Sequence, residues 1–201
     1  MLTERLLTDE RERAAFAASY ERVGGFPLAL DSMKTAMVTG FYRGGCPIGG
    51  YMLNEHFPFR ALQDMPETDA QRILDETGNK KPYEITCVWM KPEDRGAHAG
   101  TKMWLRIVCA IFARRDQYLI VSTVNESLRR FYQDVGFTNR YSGDIIHSDG
   151  MHSPKYVLTL NRTSPLIVSA IRTAFSRVIK TFLRASRPST LPGSPALEAS
   201  S

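Results

Sequence analysis

The sequence predicts an α/β domain, on three observations. Between residues 83 and 141 the order is strand, glycine-bearing loop, helix, strand, helix, strand. A hairpin signal, two apolar runs parted by Gly44-Gly45, precedes that unit, and a last strand at Lys155–Leu160 follows it. The chain has 201 residues, 43% of them hydrophobic and 23% charged, which suits one globular domain with an appendage. That composition excludes wholesale disorder, collagen-like repeats and a disulfide-dense mini-protein.

Each element has a local reason. Residues 10–23 read as a helix that Gly24-Gly25 ends. Thr35–Arg43 and Pro47–Asn54 are the hairpin strands. Residues 55–82 are polar and broken by Pro58 and Pro66, with a short helix over Thr68–Thr77 closed by Gly78. Tyr83–Met90 (YEITCVWM) is β-rich and apolar, as a buried central strand should be. The loop KPEDRGAHAG leads to a helix over Thr101–Arg115, with Met103, Ile107, Val108, Ile111 and Phe112 on its inner stripe. Tyr118–Thr123 is a strand, Glu126–Val135 a helix that Gly136 stops, and Phe137–Tyr141 a strand. No internal repeat is present.

The charge is unevenly placed. The chain carries a formal +5, yet residues 1–161 hold 20 basic and 20 acidic side chains. The surplus belongs to residues 162–201, with Arg162, Arg172, Arg177, Lys180, Arg184 and Arg187 against Glu198. A pI near 9.2 is therefore no argument for a nucleic-acid partner of the folded domain. Residues 1–161 are expected to form the domain, 162–187 a basic amphipathic helix and 188–201 a disordered Pro/Ser/Ala-rich tail. The stripe from Ile167 to Leu183 would lie on an anionic membrane surface at 165–187, or pack on its own domain or a second copy in a homodimer. Cys46, Cys87 and Cys109 are odd in number and show no zinc-ligand spacing with the four histidines, so reduced cysteines, no metal and a cytoplasmic setting are expected. The N-terminus is charged from Glu4 and lacks the apolar core of an export signal.

A strand running into RGAHAG and then a helix is a phosphate-binding arrangement: the helix N-terminus offers free N–H groups, and small residues let an anion approach. It is neither a P-loop nor a GxGxxG fingerprint. TCVWMKPEDRGAHAGTKM followed by VSTVNESLRRFYQDVGF resembles the core of the GNAT superfamily of N-acyltransferases, over roughly residues 83–141. The resemblance implies a mixed, mostly antiparallel twisted sheet with helices on both faces. It implies transfer of an acyl group from acyl-CoA, acetyl-CoA above all, to a primary amine of a small acceptor.

The same resemblance assigns residues. Backbone groups of Val88 and Met90 would pair with the pantetheine arm, and Asn125 would contact it. Arg95, Gly96, Ala97, His98, Ala99, Gly100 and Thr101 would wrap the pyrophosphate of coenzyme A, His98 standing where the family carries a glycine. Tyr132 matches the tyrosine that protonates the leaving thiolate, and Glu84 a glutamate base. The chemistry suits these types, since an amine must lose a proton and a thiolate must gain one. Other readings of the same residues stay open: Glu84 paired with a cation such as Lys81, Tyr132 packed against the sheet, and Asn125 capping the helix that starts at Glu126.

IGGYMLNEHFPFRALQDMPE, YEITCVWM and LIVSTVNESLRRFYQDVGFTNRYSG together also resemble the acyl-homoserine-lactone synthases and related N-acyl amino acid synthases. That branch takes its acyl chain from acyl carrier protein, which carries no nucleotide pyrophosphate. Cys87 stands where the branch carries an arginine after Glu84. Acceptor contacts are expected from Ala18–Leu28, His56–Arg60 and the loop Gly143–Lys155. A third expectation, from another class, is a GNAT-like sensor or scaffold without catalysis, for which His98 is the argument.

Overall fold

The computed structural model describes residues 2–95, 97–114, 117–146 and 152–161. The elements are β1 (Leu2–Leu6), α1 (Glu10–Gly24), β2 (Met37–Arg43), β3 (Cys46–Asn54), α2 (Glu67–Asp75), β4 (Pro82–Met90), α3 (Ala97–Ala113), β5 (Tyr118–Thr123), α4 (Glu126–Asp134), β6 (Thr138–Ile146) and β7 (His152–Asn161). The strands form one sheet in the order β1-β2-β3-β4-β5-β7-β6. Every neighbouring pair is antiparallel except β4 and β5, which run parallel across α3.

The helices divide between the two faces. On one side Met103, Ile107 and Ile111 of α3 pack with Ile85, Leu119, Val121, Phe137, Leu158 and Leu160. On the other, Phe16 and Ala17 of α1 pack with Val38, Met52, Cys87 and Trp89. Ile73 of α2 joins Phe59, Leu62, Tyr118 and Ile120 on that second side. The α1 face meets β2 and β3 at very short range. A Cβ on Gly50 would stand 2.4 Å from the Thr39 carbonyl oxygen and 2.6 Å from the Phe16 ring, so only glycine fits there.

Strand β4 is built in two phases. Tyr83 and Ile85 face α3, whereas Cys87 and Trp89 belong to the α1 side. Two successive odd-numbered pairs on opposite faces require one extra residue between them. The register shows it: Gly50 pairs with Trp89 and Met52 with Thr86, two steps on β3 against three on β4. Cys87 takes up the bulge at φ 51, a left-handed value that few non-glycine residues adopt.

The bulge lies where β4 and β5 part. Their ladder holds only Pro82–Tyr118, Tyr83–Leu119 and Glu84–Ile120. Beyond these, β4 stays with β3 and β5 with β7, leaving a wedge open at the carboxyl ends of the parallel pair.

Several elements differ from expectation. β1 was not expected, because LTERL has neither an apolar run nor β-branched enrichment; it is an edge strand held by its ladder to β2. Helix α3 begins at Ala97, one turn before Thr101, so most of the glycine-alanine segment is helix rather than loop. β6 runs on to Ile146 and β7 starts at His152, so both ends of the expected loop Gly143–Lys155 are paired strand. α2 is Glu67–Asp75. The amphipathic helix and tail expected over 162–201 lie outside the described residues, as do Gly96 and His147.

Candidate active site

The wedge carries an apolar slot on the α3 face. Ile85, Val88 and Val121 form its floor, Trp104, Ile107, Val108 and Ile111 one wall, and Phe131, Tyr132, Val135 and Phe137 the other. Tyr132 is half-buried with its ring 5.0 Å from Phe137 and 5.9 Å from Phe131. Burial pushes its phenol up to about 12, so the group keeps its proton at neutral pH.

The mouth of the slot is a cavity of about 170 Å³ lined by Val88, Trp89, Met90, Arg95, Gly100, Met103 and Trp104. The 17-residue helix α3 opens beside it with no acidic residue in its first turn. Its free N–H groups and positive dipole end are thus not neutralised within the helix. A Cβ on Gly100 would meet the Arg95 carbonyl oxygen at 3.3 Å, so glycine keeps this turn close. The Arg95 Nε donates to the Met90 carbonyl at 3.2 Å, folding that side chain back over the end of β4. The preceding turn is fixed by Asp94, buried and bound by the Arg43 guanidinium at 2.5 Å. Ala99 is 2% exposed and packs in the core, so only its backbone can face an anion. Thr101 is half-buried in the first turns of α3.

Asn125 is the N-cap of α4: its Oδ1 accepts from the Leu128 N–H at 3.1 Å, and its own N–H donates to the Thr123 Oγ1 at 3.0 Å.

Glu84 sits on the other face and does not line the slot. It is 1% exposed. Oε1 accepts from the Arg60 N–H at 2.9 Å and from the Asn54 Nδ2 at 3.4 Å, and Oε2 from the Ala61 N–H at 2.8 Å. Burial pushes its carboxyl above the usual range, against the pull of these bonds. The expected pairing with Lys81 does not occur, since Lys81 bridges to Glu55 at 2.9 Å and Arg114 holds the same carboxylate at 2.6 Å.

A cluster missed in the sequence lies behind the bulge. Tyr20, Arg60 and Cys87 come from α1, the 55–62 segment and β4, and the three lie close enough to interact electrostatically. The Arg60 guanidinium stands 5.9 Å over the Tyr20 ring and donates to the Pro27 carbonyl at 2.7 Å. Two of the three segments expected to meet the acceptor are thereby tied together. Burial pushes Tyr20 up to about 12 and Cys87 up to about 11, so both stay neutral beside the cation. Separations of 40 and 27 residues hide such a cluster from any motif search. Among the described residues no group of three metal-ligating side chains gathers.

No family model matches the chain, and no curated protein matches it. Solved structures do. FeeM, an N-acyl amino acid synthase from uncultured soil microbes, is similar at 18% identity and TM-score 0.56, covering 80% of this chain and 90% of its own. The ribosomal-protein-S18-alanine N-acetyltransferase from Escherichia coli is similar at 12% identity and TM-score 0.56, covering 82% and 96%. The yncA acetyltransferase from Salmonella typhimurium, solved with acetyl-CoA, is similar at 13% identity and TM-score 0.51, again covering 82% and 96%. The fold of this chain is the GNAT fold.

Proposed function

We propose that the protein is an N-acyltransferase that moves an acyl group from a coenzyme A thioester to a primary amine of a small acceptor. The observation that carries this reading is the wedge: an anion-ready helix end at its mouth, an apolar slot within, and the protonated Tyr132 on its wall. The residues present fit coenzyme A. The α3 N-terminus and Arg95 would meet the pyrophosphate together with residues 96–101, and the β4 edge at Val88 and Met90 would pair with the pantetheine amides. Asn125 would contribute its Nδ2 group, its Oδ1 being used in the cap.

In the reaction the amine nitrogen bonds to the carbonyl carbon, the carbon–sulfur bond breaks, and the amine gives up a proton to solvent water. Tyr132 donates its phenolic proton to the leaving thiolate and regains one from solvent. The apolar walls raise the proton affinity of a thiolate as well as that of the phenol, which favours transfer of the proton to the leaving group. For Glu84 the geometry supports an anchoring part over the base role. Both oxygens are taken by the 60–61 backbone, so the carboxylate fixes the segment that carries Arg60.

The slot's open volume of about 50 Å³ suits a short acyl group such as acetyl. One water needs about 10–15 Å³ on the same measure. A second reading, a longer chain delivered by acyl carrier protein, rests on the wholly apolar wall from Trp104 to Ile111. Those seven steps of helix give about 10 Å of lining. It requires the slot to open beyond its present volume of about 50 Å³.

A cytoplasmic setting, membrane contact through 165–187 and a homodimer belong to this proposal. No helix among the described residues is long and apolar enough to cross a membrane.

The test runs acetyl-CoA, a long-chain acyl-CoA and acyl carrier protein in parallel, against a panel of amines, reading thiol release and product mass. The proposal expects turnover with the first. Turnover with acyl carrier protein alone supports the second reading. Donor binding without turnover on any amine supports a sensor, and no response to any donor defeats the proposal.

A further inference from the structure

Two cavities meet in the wedge, and among the described residues only two side chains belong to both. The mouth of about 170 Å³ and the slot of about 50 Å³ share Val88 and Trp104 and no other lining residue. These two form a neck, which anything reaching from the mouth into the slot must pass.

Neither backbone beside the neck can retreat. Met103, Ile107 and Ile111 of α3 are 3%, 2% and 8% exposed and fix that helix in the core. β4 is backed by β3, so closely that a Cβ on Gly49 would stand 2.8 Å from the Trp89 carbonyl oxygen. A close-packed interior leaves no room for either element to move, so the two side chains set the width of the neck. Trp104 is the larger of them. It is only half-buried, so cutting it back leaves the buried members of the core in place.

The slot beyond the neck selects by charge as well as by size. No charged side chain lines it, and Arg95, the one described cation of the two cavities, lines the mouth alone. A carboxylate carried into such a lining loses its hydration and gains no counter-ion.

From these observations we infer that Trp104 sets the length of the acyl chain, and that the chain is short and uncharged. The inference rests on the proposed acyl transfer and names the class of acyl group. A dry cavity of about 150 Å³ holds a benzene ring, so the slot as it stands holds about two carbon atoms of chain. Removing the indole joins slot and mouth into one apolar space open to a longer chain.

Coenzyme A and its S-alkyl thioethers, from methyl to octyl, have no carbonyl to react and report binding alone. They are titrated by calorimetry into the full chain, its Trp104→Ala variant and the milder Trp104→Leu, with melting temperatures to show that each is folded. In wild type the affinity should rise about fourfold per methylene up to about three carbons and fall beyond. In both variants the rise should continue to longer chains. The 2-carboxyethyl thioether should bind wild type at least about tenfold more weakly than the propyl one. A wild-type affinity that climbs without a break to octyl, or one length profile shared by all three proteins, overturns the role of Trp104. Equal binding of the carboxyethyl and propyl thioethers overturns the uncharged class. Each of these results leaves the acyl-transfer reading in place, whereas no binding of coenzyme A or of any thioether overturns both together.

Discussion

Tyr132 and Glu84 show how much the surroundings of a side chain decide. The tyrosine has a ring packed among aromatics and a phenol that burial alone raises to about 12. Tyr132→Phe should keep donor affinity, since the ring remains, and lower turnover by about a hundredfold or more, the usual worth of a positioned proton donor. Equal turnover of the two proteins would remove the acid role. Glu84 loses more as a structural group than as a chemical one. In Glu84→Gln an amide N–H₂ faces one of the two backbone N–H donors, which should cost about 1–3 kcal/mol in urea unfolding. Because burial raises its folded-state value, the Glu84 contribution is fully present below the unfolded value and is lost as pH rises through the folded one. The stability lead of wild type over Glu84→Gln should therefore shrink as pH climbs above 4.5. Cysteine chemistry follows the same logic. Cys46 and Cys109 are exposed and Cys87 is buried with its thiol pushed up to about 11, so a thiol reagent should label two sites natively and the third only on unfolding.

Among the elements, those with a strong local pattern were readable and those held by partners were not. The 83–90 strand, the α3 stripe of Met103, Ile107 and Ile111, and the Asn125 cap each carry their signal in a few adjacent residues. Asn125→Ala should cost about 1 kcal/mol of stability, measured by thermal or urea unfolding, through loss of that cap. β1 has no such signal, because what stabilises it lies elsewhere: the ladder to β2, Glu4 paired with Arg106 of α3 at 2.7 Å, and Arg5 over Tyr42. The start of α3 was placed late since glycine at position 100 reads as loop, while its tight fit against Arg95 is a tertiary fact. The bulge escaped for a different reason. YEITCVWM reads as one continuous apolar run, and a buried strand shows no alternation whose phase could be seen to slip. The candidate site was legible where a motif named it, at Tyr132, Val88 and Met90. It was illegible where long-range contacts build it, at Tyr20, Arg60 and Trp104.

For the whole molecule, the charge ledger of the sequence divides the chain more sharply than any pattern does. A protein ending at residue 161 carries 20 basic and 20 acidic side chains. It should be neutral near pH 7 and elute unretained from a cation exchanger that holds the full chain. If 165–187 is the membrane contact, the full chain should sediment with anionic vesicles and the shortened one should not, while both turn over the same soluble donor. Equal sedimentation of the two would assign the basic stripe to the domain itself or to a second copy.

The extra residue at Cys87 has a practical outcome for anyone redesigning this protein. On β4 an even number means the α1 side up to Thr86 and the opposite side from Val88 onward. Substitutions meant to reshape the slot and its mouth therefore belong at Ile85, Val88 and Met90. Those meant to alter what approaches from behind belong at Glu84, Cys87 and Trp89. Removing one residue at the bulge would exchange the two sets along half the strand, turning a specificity change into a loss of the domain.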